Sequence, residues 1–233
     1  MKKSNKTASG PGSLAEAYFR YLETAVRGAD GVTRQPASTN FVSRLREVHA
    51  KQGHPGRLND ALKPGNLYVW SDQHLGHRAL EKLRGRSASE VDALMLSNAL
   101  ATVTEKDFLI FGGDITMTDS GTTNGWLRQI PAAKILVLGN HDCDKHAHAI
   151  LKLAVDDVVS CLEWERIFVS HYPVPEHVMD AARPGDCIVN LHGHVHAHRL
   201  STDEFGSGAR HVNMSVECID FKPVTIGSLR RST

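Results

Sequence analysis

The stretch Lys134-Ile135-Leu136-Val137-Leu138-Gly139-Asn140-His141-Asp142 decides how the chain is read. Ile135 to Leu138 is an unbroken apolar run of strand length, and Gly139 ends it. A buried strand that stops at a glycine delivers the next side chains into a loop at a sheet edge, where reactive groups concentrate. Asn140 brings a neutral carbonyl oxygen to that loop, and His141 a group that titrates near neutrality. Alone, Gly139-Asn140-His141-Asp142 suits a chemically silent turn equally well. Four other places repeat the arrangement: Asp72-Gln73-His74, Gly113-Asp114, His171, and Gly193-His194-Val195-His196. Each follows a strand-like apolar run: Leu67 to Trp70, Phe108 to Phe111, residues 167–169, and Cys187 to Leu191.

Between these runs lie helical patterns. Ser87, with Glu90 after it, reads as the cap of a helix reaching Val103, and Asp144 as the cap of another reaching Leu153. Thr118 to Gly125 reads as a polar loop, Trp126 to Ile130 as a helical turn, and Ala209 to Ile226 as two further strands. Alternating strands and helices predict an α/β domain over residues 66–233. Residues 1–12 are polar with Gly and Pro and are expected to be disordered. Residues 13–65 form a helical appendage. In it Ser13-Leu14-Ala15-Glu16 reads as a capping box, a Gly-containing break runs from Gly28 to Gly31, and a second helix spans Asn40 to Lys51 before a loop at 53–65. The appendage is expected to pack on the domain or make a homodimer contact, rather than to lid the site.

Composition narrows the possibilities. The chain has 233 residues, 41% hydrophobic and 23% charged, which suits one large domain with or without an appendage. A formal net charge of +1 gives no global field to draw nucleic acid or an acidic membrane. No apolar run approaches the ~20 residues that span a bilayer. The basic start lacks the apolar core of a secretory signal. Cys143, Cys161, Cys187 and Cys218 form no close pair, which predicts free thiols and a cytoplasmic location. Histidine is the outlier at 14 residues, many of them at the ends of predicted strands.

Asp72, His74, Asp114, Asn140, His171, His194 and His196 offer carboxylate, amide and imidazole donors and no thiolate. That set suits hard or borderline divalent ions such as Mn, Fe, Zn, Ni or Co. The ordered series DxH, GD, GNH, a lone His and GHxH resembles the signature of the calcineurin-like metallophosphoesterase superfamily over residues 66–226. Ser71 to His77 and Asp220-Phe221-Lys222-Pro223-Val224 resemble its small bacterial and phage members. The resemblance implies an α/β sandwich of two mixed β-sheets flanked by helices. It implies that Asp72, His74 and His196 bind one metal ion, that Asn140, His171 and His194 bind a second, and that Asp114 bridges both. It further implies hydrolysis of a phosphodiester or phosphomonoester by a metal-bridging hydroxide, with His141 as general acid.

The chain departs from the protein-phosphatase branch, which carries Asp-Arg where this sequence has Met117-Thr118. A phosphoprotein substrate is therefore disfavoured, and the partner of His141 is open. Asp142 suits a structural role at least as well as a catalytic one. His77 is a candidate contact for substrate phosphate, with packing as the plain alternative. His192 and His198 suit supporting or surface positions better than ligation, and Arg84 and Arg86 suit a solvated surface better than a contact to an acidic substrate. Two other functions compete: a non-enzymatic protein-binding scaffold of the same fold, and a nuclease acting on single strands. The complete ligand set argues against the first. The second needs a basic, aromatic groove that the sequence does not show.

Overall fold

The computed structural model describes residues 13–24, 26–27, 33–34, 36–52, 67–143 and 153–229. The expected disordered tail, the break at Gly28 to Gly31, the loop at 53–65 and all but the last residue of the helix expected from Asp144 lie outside the described residues. The chain runs through α1 (Leu14–Leu22), β1 (Val26–Arg27), β2 (Thr33–Arg34) and α2 (Thr39–Lys51). Next come β3 (Leu67–Trp70), α3 (Glu81–Arg84), α4 (Ala88–Thr102), β4 (Phe108–Phe111), α5 (Ser120–Leu127), β5 (Ala133–Val137) and β6 (Asp157–Val159). Then follow β7 (Leu162–Trp164), β8 (Ile167–Ser170), α6 (Glu176–Ala182), β9 (Val189–His192), α7 (Thr202–Phe205), β10 (His211–Asn213), β11 (Val224–Thr225) and α8 (Ile226–Leu229).

The unbroken apolar runs are strands because both faces of each are covered. Successive side chains alternate between faces, and here they feed two different cores. Val69, Ile110, Ile135 and Val137 point into a layer shared with Ile167, Val169, Leu191 and Val212. Trp70, Leu109, Phe111, Leu136 and Phe168 point the other way, into the cluster that holds the helices. One five-stranded sheet has the order β11-β3-β4-β5-β6, and one four-stranded sheet the order β10-β9-β8-β7. Only the β11–β3 and β7–β8 pairings are antiparallel in these two sheets. The result is an α/β sandwich of two mixed sheets flanked by helices.

The helices begin where the sequence has caps. Ser87 accepts the N–H of Glu90 while the Glu90 carboxylate accepts that of Ser87, a complete capping box. Ser13 caps α1 through the Glu16 N–H. The stretch from Thr118 departs from the sequence reading: residues 120–127 are helix α5, not loop. Asp119 accepts the Thr122 N–H at 2.9 Å, and Thr123 is buried with its hydroxyl on Asp119 O. Two glycines and two threonines give α5 poor intrinsic propensity, but burial of Trp126 and Leu127 against the core overrides it.

The N-terminal helices join the same buried cluster as the sheets. Leu14, Tyr18, Phe19 and Leu22 of α1 and Phe41, Val42 and Leu45 of α2 are buried there. The Tyr18 ring meets Phe168 edge-on at 5.8 Å, and the Phe41 ring lies 5.6 Å from Tyr172. Among the described residues, no helix is long and apolar enough to cross a membrane.

Candidate metal centre

Parallel pairing decides where the polar residues go. β3, β4 and β5 run parallel as neighbours, as do β8 and β9, so within each sheet their C-terminal ends share an edge. Asp72 and His74 follow β3, Asp114 follows β4, Asn140 follows β5, His171 follows β8, and His194 and His196 follow β9. A parallel bridge between Ser71 and Ser215 joins the two sheets at this end. The loops then lace together, with the Asp72 N–H on Gly113 O at 3.1 Å and the His74 N–H on Asp114 O at 3.0 Å.

The local backbone is strained where the donors sit. Asp72, His74, Asp114, His194 and His196 all have positive φ, from 47° to 70°. Each non-glycine residue in that region costs on the order of 1 kcal/mol or more, and such strain concentrates at functional sites. Gly113, at φ 103°, is required twice over: a Cβ there would lie 2.5 Å from His171 Nδ1 and 2.7 Å from the Gly139 nitrogen.

Two sets of side chains converge. The donor atoms of Asp72, His74 and His196 lie within 4.8 Å of one another, and so do those of Asp114, His171 and His194. Each set draws on both sheets. Asn140 joins the second set, its Oδ1 lying 3.0 Å from His171 Nε2 and 3.1 Å from His194 Nδ1. Asp114 Oδ2 stands between the sets, 3.6 Å from His74 Nε2 and 3.3 Å from His171 Nε2. Each of the two groups could hold a metal ion. Chemistry and burial both fit: both ring nitrogens of His74 are buried with no hydrogen-bond partner among the described residues, a costly state that a cation bonded to one of them would partly relieve.

Electrostatics point the same way. Burial, foremost, pushes His74 and His194 down to about 3, so both rings are neutral and able to ligate at pH 7. Burial works against the charge on His171, but Asp114 beside it outweighs this and pushes it up to about 9. Burial likewise opposes ionisation of Asp114, yet His171, with His74 and His141, holds that carboxyl well below the usual range. Asp72 is raised, first by burial and then by the charge of Asp114. A proton on His171 thus offsets the buried carboxylates where a cation would otherwise do so.

Other candidates occupy distinct places. His141 lies on a short 3₁₀ turn, donates its backbone N–H to Asp114 Oδ1 at 2.9 Å, and presents its ring edge-on to His74 at 5.3 Å. It belongs to neither donor set. The half-buried His77 ring lies 5.2 Å from His74. Asp142 is buried and accepts three backbone N–H groups, those of Gly139, Asp114 and Ile115. His192 is buried and His198 exposed. Tyr172 stacks on His194 with ring centroids 3.7 Å apart, and its backbone N–H donates to Tyr18 Oη at 3.3 Å.

Sequence reasoning placed Arg84 on a solvated surface, and the structure corrects this. Its side chain is only 4% exposed and donates to Asp72 O, Gln73 O and Glu217. Reasoning from sequence also missed Ser215, whose hydroxyl donates to Asp72 Oδ2 at 3.0 Å, and Glu217, which reaches His196. Both lie in a tail read only as strands, and no local pattern marks them.

No protein-family model matches the chain. It is 24% identical over 166 residues to the uncharacterized protein MJ1445 of Methanocaldococcus jannaschii, a match covering 69% of this chain and 86% of that protein. It is 27% identical over 164 residues to the Gene 66 protein of Mycobacterium phage L5, covering 57% and 78% respectively. Among solved structures it is similar to AQ665 of Aquifex aeolicus, a protein of unknown function, with a TM-score of 0.57 and 29% identity. That likeness covers 72% of this chain and 98% of the Aquifex chain, so the archaeal, phage and bacterial relatives share most of their own length with it.

Proposed function

We propose that this protein is a dinuclear metal-dependent phosphoesterase of the calcineurin-like metallophosphoesterase superfamily. The position of Asp114 carries the reading: one carboxylate oxygen lies within 3.6 Å of His74 Nε2 and within 3.3 Å of His171 Nε2, so it reaches both donor sets. Asp72, His74 and His196 would hold one ion, Asn140, His171 and His194 the other, and Asp114 both. The donor set suits Mn, Fe, Zn, Ni or Co. Two such ions, when bound, supply Lewis acidity at the phosphoryl oxygens and a water of lowered pKa.

The remaining tasks belong to the chain. His141 is tethered to Asp114 through its backbone N–H and belongs to neither donor set, so its ring is left to protonate the leaving oxygen. His77, beside His74, would contact substrate phosphate. Arg84 directs its donors to Asp72 O, Gln73 O and Glu217, and Met117-Thr118 stand where the phosphatase branch has its phosphate-clamping arginine. That favours a singly charged phosphodiester over a dianionic monoester. The test is hydrolysis of chromogenic mono- and diesters by the Mn²⁺-loaded protein. His141→Ala should keep its metal and lose about 10²–10⁴-fold in turnover on esters with poor leaving groups. Two bound ions with no hydrolysis of any ester, or wild-type rates from His141→Ala, would overturn the proposal.

A further inference from the structure

The segment Asn213 to Cys218 wraps the side of the site that carries His196. Asn213 Nδ2 donates to His196 O at 2.6 Å, and Cys218 Sγ reaches the same oxygen at 3.4 Å. Glu217 makes the contact to the ring itself, with Oε1 3.1 Å from His196 Nδ1. The other ring nitrogen, Nε2, faces Asp72 Oδ1 at 4.0 Å and so points into the first donor set. The same Glu217 oxygen accepts Arg84 Nε at 2.8 Å. Arg84 in turn donates to Asp72 O at 2.8 Å and Gln73 O at 2.9 Å, the backbone that carries the other two donors. Arg84 and Glu217 are 4% and 7% exposed, so this linkage is held out of solvent.

The linkage answers a question the fold leaves open. His196 belongs to no helix or strand, and its backbone sits at φ 49°, so regular structure does not aim its ring. A histidine ligates through a bare nitrogen, and the hydrogen bond at its other nitrogen selects which one is bare. Resting on the metal-centre reading above, the geometry points to Glu217 as the positioning residue for one of the two metal positions: clamped by Arg84, it holds His196 with Nδ1 protonated and Nε2 aimed at Asp72 and His74. Its carboxylate also makes the ring a more basic donor. The second position, built from Asp114, His171, His194 and Asn140, has its own orienting contact, His171 Nδ1 on Gly112 O at 2.8 Å, and does not depend on Glu217.

Titration of the metal-free protein with Mn²⁺, followed by calorimetry, tests this. Wild type should bind two ions per chain. Glu217→Gln should bind one as before and the other about 10–100-fold more weakly. A second measurement needs no variant: ¹⁵N shifts of His196 in metal-free wild type, with the ring neutral, should report the proton on Nδ1. Failure of wild type to bind two ions would overturn the metal centre and this inference together. Two ions bound by wild type and held equally tightly by Glu217→Gln would overturn the role of Glu217 alone. So would a His196 proton on Nε2 in wild type.

Discussion

The carboxylate of Asp142 accepts the backbone N–H of Asp114 at 2.8 Å, tying the loop after β5 to the loop after β4. The N–H groups of Gly139, at 2.8 Å, and Ile115, at 3.2 Å, bond to the same side chain. Asp142→Ala leaves three buried donors without an acceptor, each costing on the order of 1–3 kcal/mol. The variant should lose about 3 kcal/mol or more in urea unfolding of the metal-free protein. A loss within the ~0.5 kcal/mol typical of a neutral surface change would show that Asp142 does not hold these loops.

The N-terminal helices should unfold with the sandwich rather than ahead of it. Phe41 is fully buried and its ring lies 5.6 Å from Tyr172, which stacks on His194. Phe41→Ala removes a large core side chain and should cost about 3–5 kcal/mol. Unfolding should remain a single transition when followed by both far-ultraviolet dichroism and tryptophan fluorescence. An early, separate transition for the helices, with the main transition unmoved, is the contrary result.

Acid and base should both weaken the metal-free protein. His74 and His194 are pushed down to about 3 and His192 to about 4, in each case by burial first, against an ordinary 6.5. The fold therefore favours the neutral rings. Their contribution is whole above pH 6.5 and is lost as pH falls through about 4 to 3. His171 has the opposite sign: raised to about 9 by Asp114 despite its burial, it contributes fully below pH 6.5 and loses that contribution as pH rises through 9. Urea midpoints should fall on both sides of neutrality. A cation must displace the His171 proton, so Mn²⁺ affinity should climb from pH 6.5 towards 9 with proton release visible in the buffer dependence of the binding enthalpy. A flat affinity over that window would contradict this.

The convergence of the candidate donors was legible in the sequence because they follow apolar runs whose strand character is local. Ile135 to Leu138 needs no knowledge of distant residues to be recognised, and Gly139 and Gly113 mark where the backbone must pass closely. The two-sheet architecture came with the resemblance, since the runs alone do not say which strands pair. Helix α5 was hidden because its residues have weak propensity and its helix depends on burial. Arg84 and Glu217 were hidden for another reason. They are 133 positions apart, and an arginine next to a predicted site looks the same in sequence whether it faces solvent or a buried carboxylate.

The proposed sharing of Asp114 between two ions is measured most directly by metal content after equilibrium dialysis against Mn²⁺. Wild type should retain two ions per chain, and Asp114→Asn, which keeps the side chain's shape but removes its charge, should lose both or hold them far more weakly. Two ions retained by Asp114→Asn at wild-type affinity would mean that no shared carboxylate couples the two donor sets.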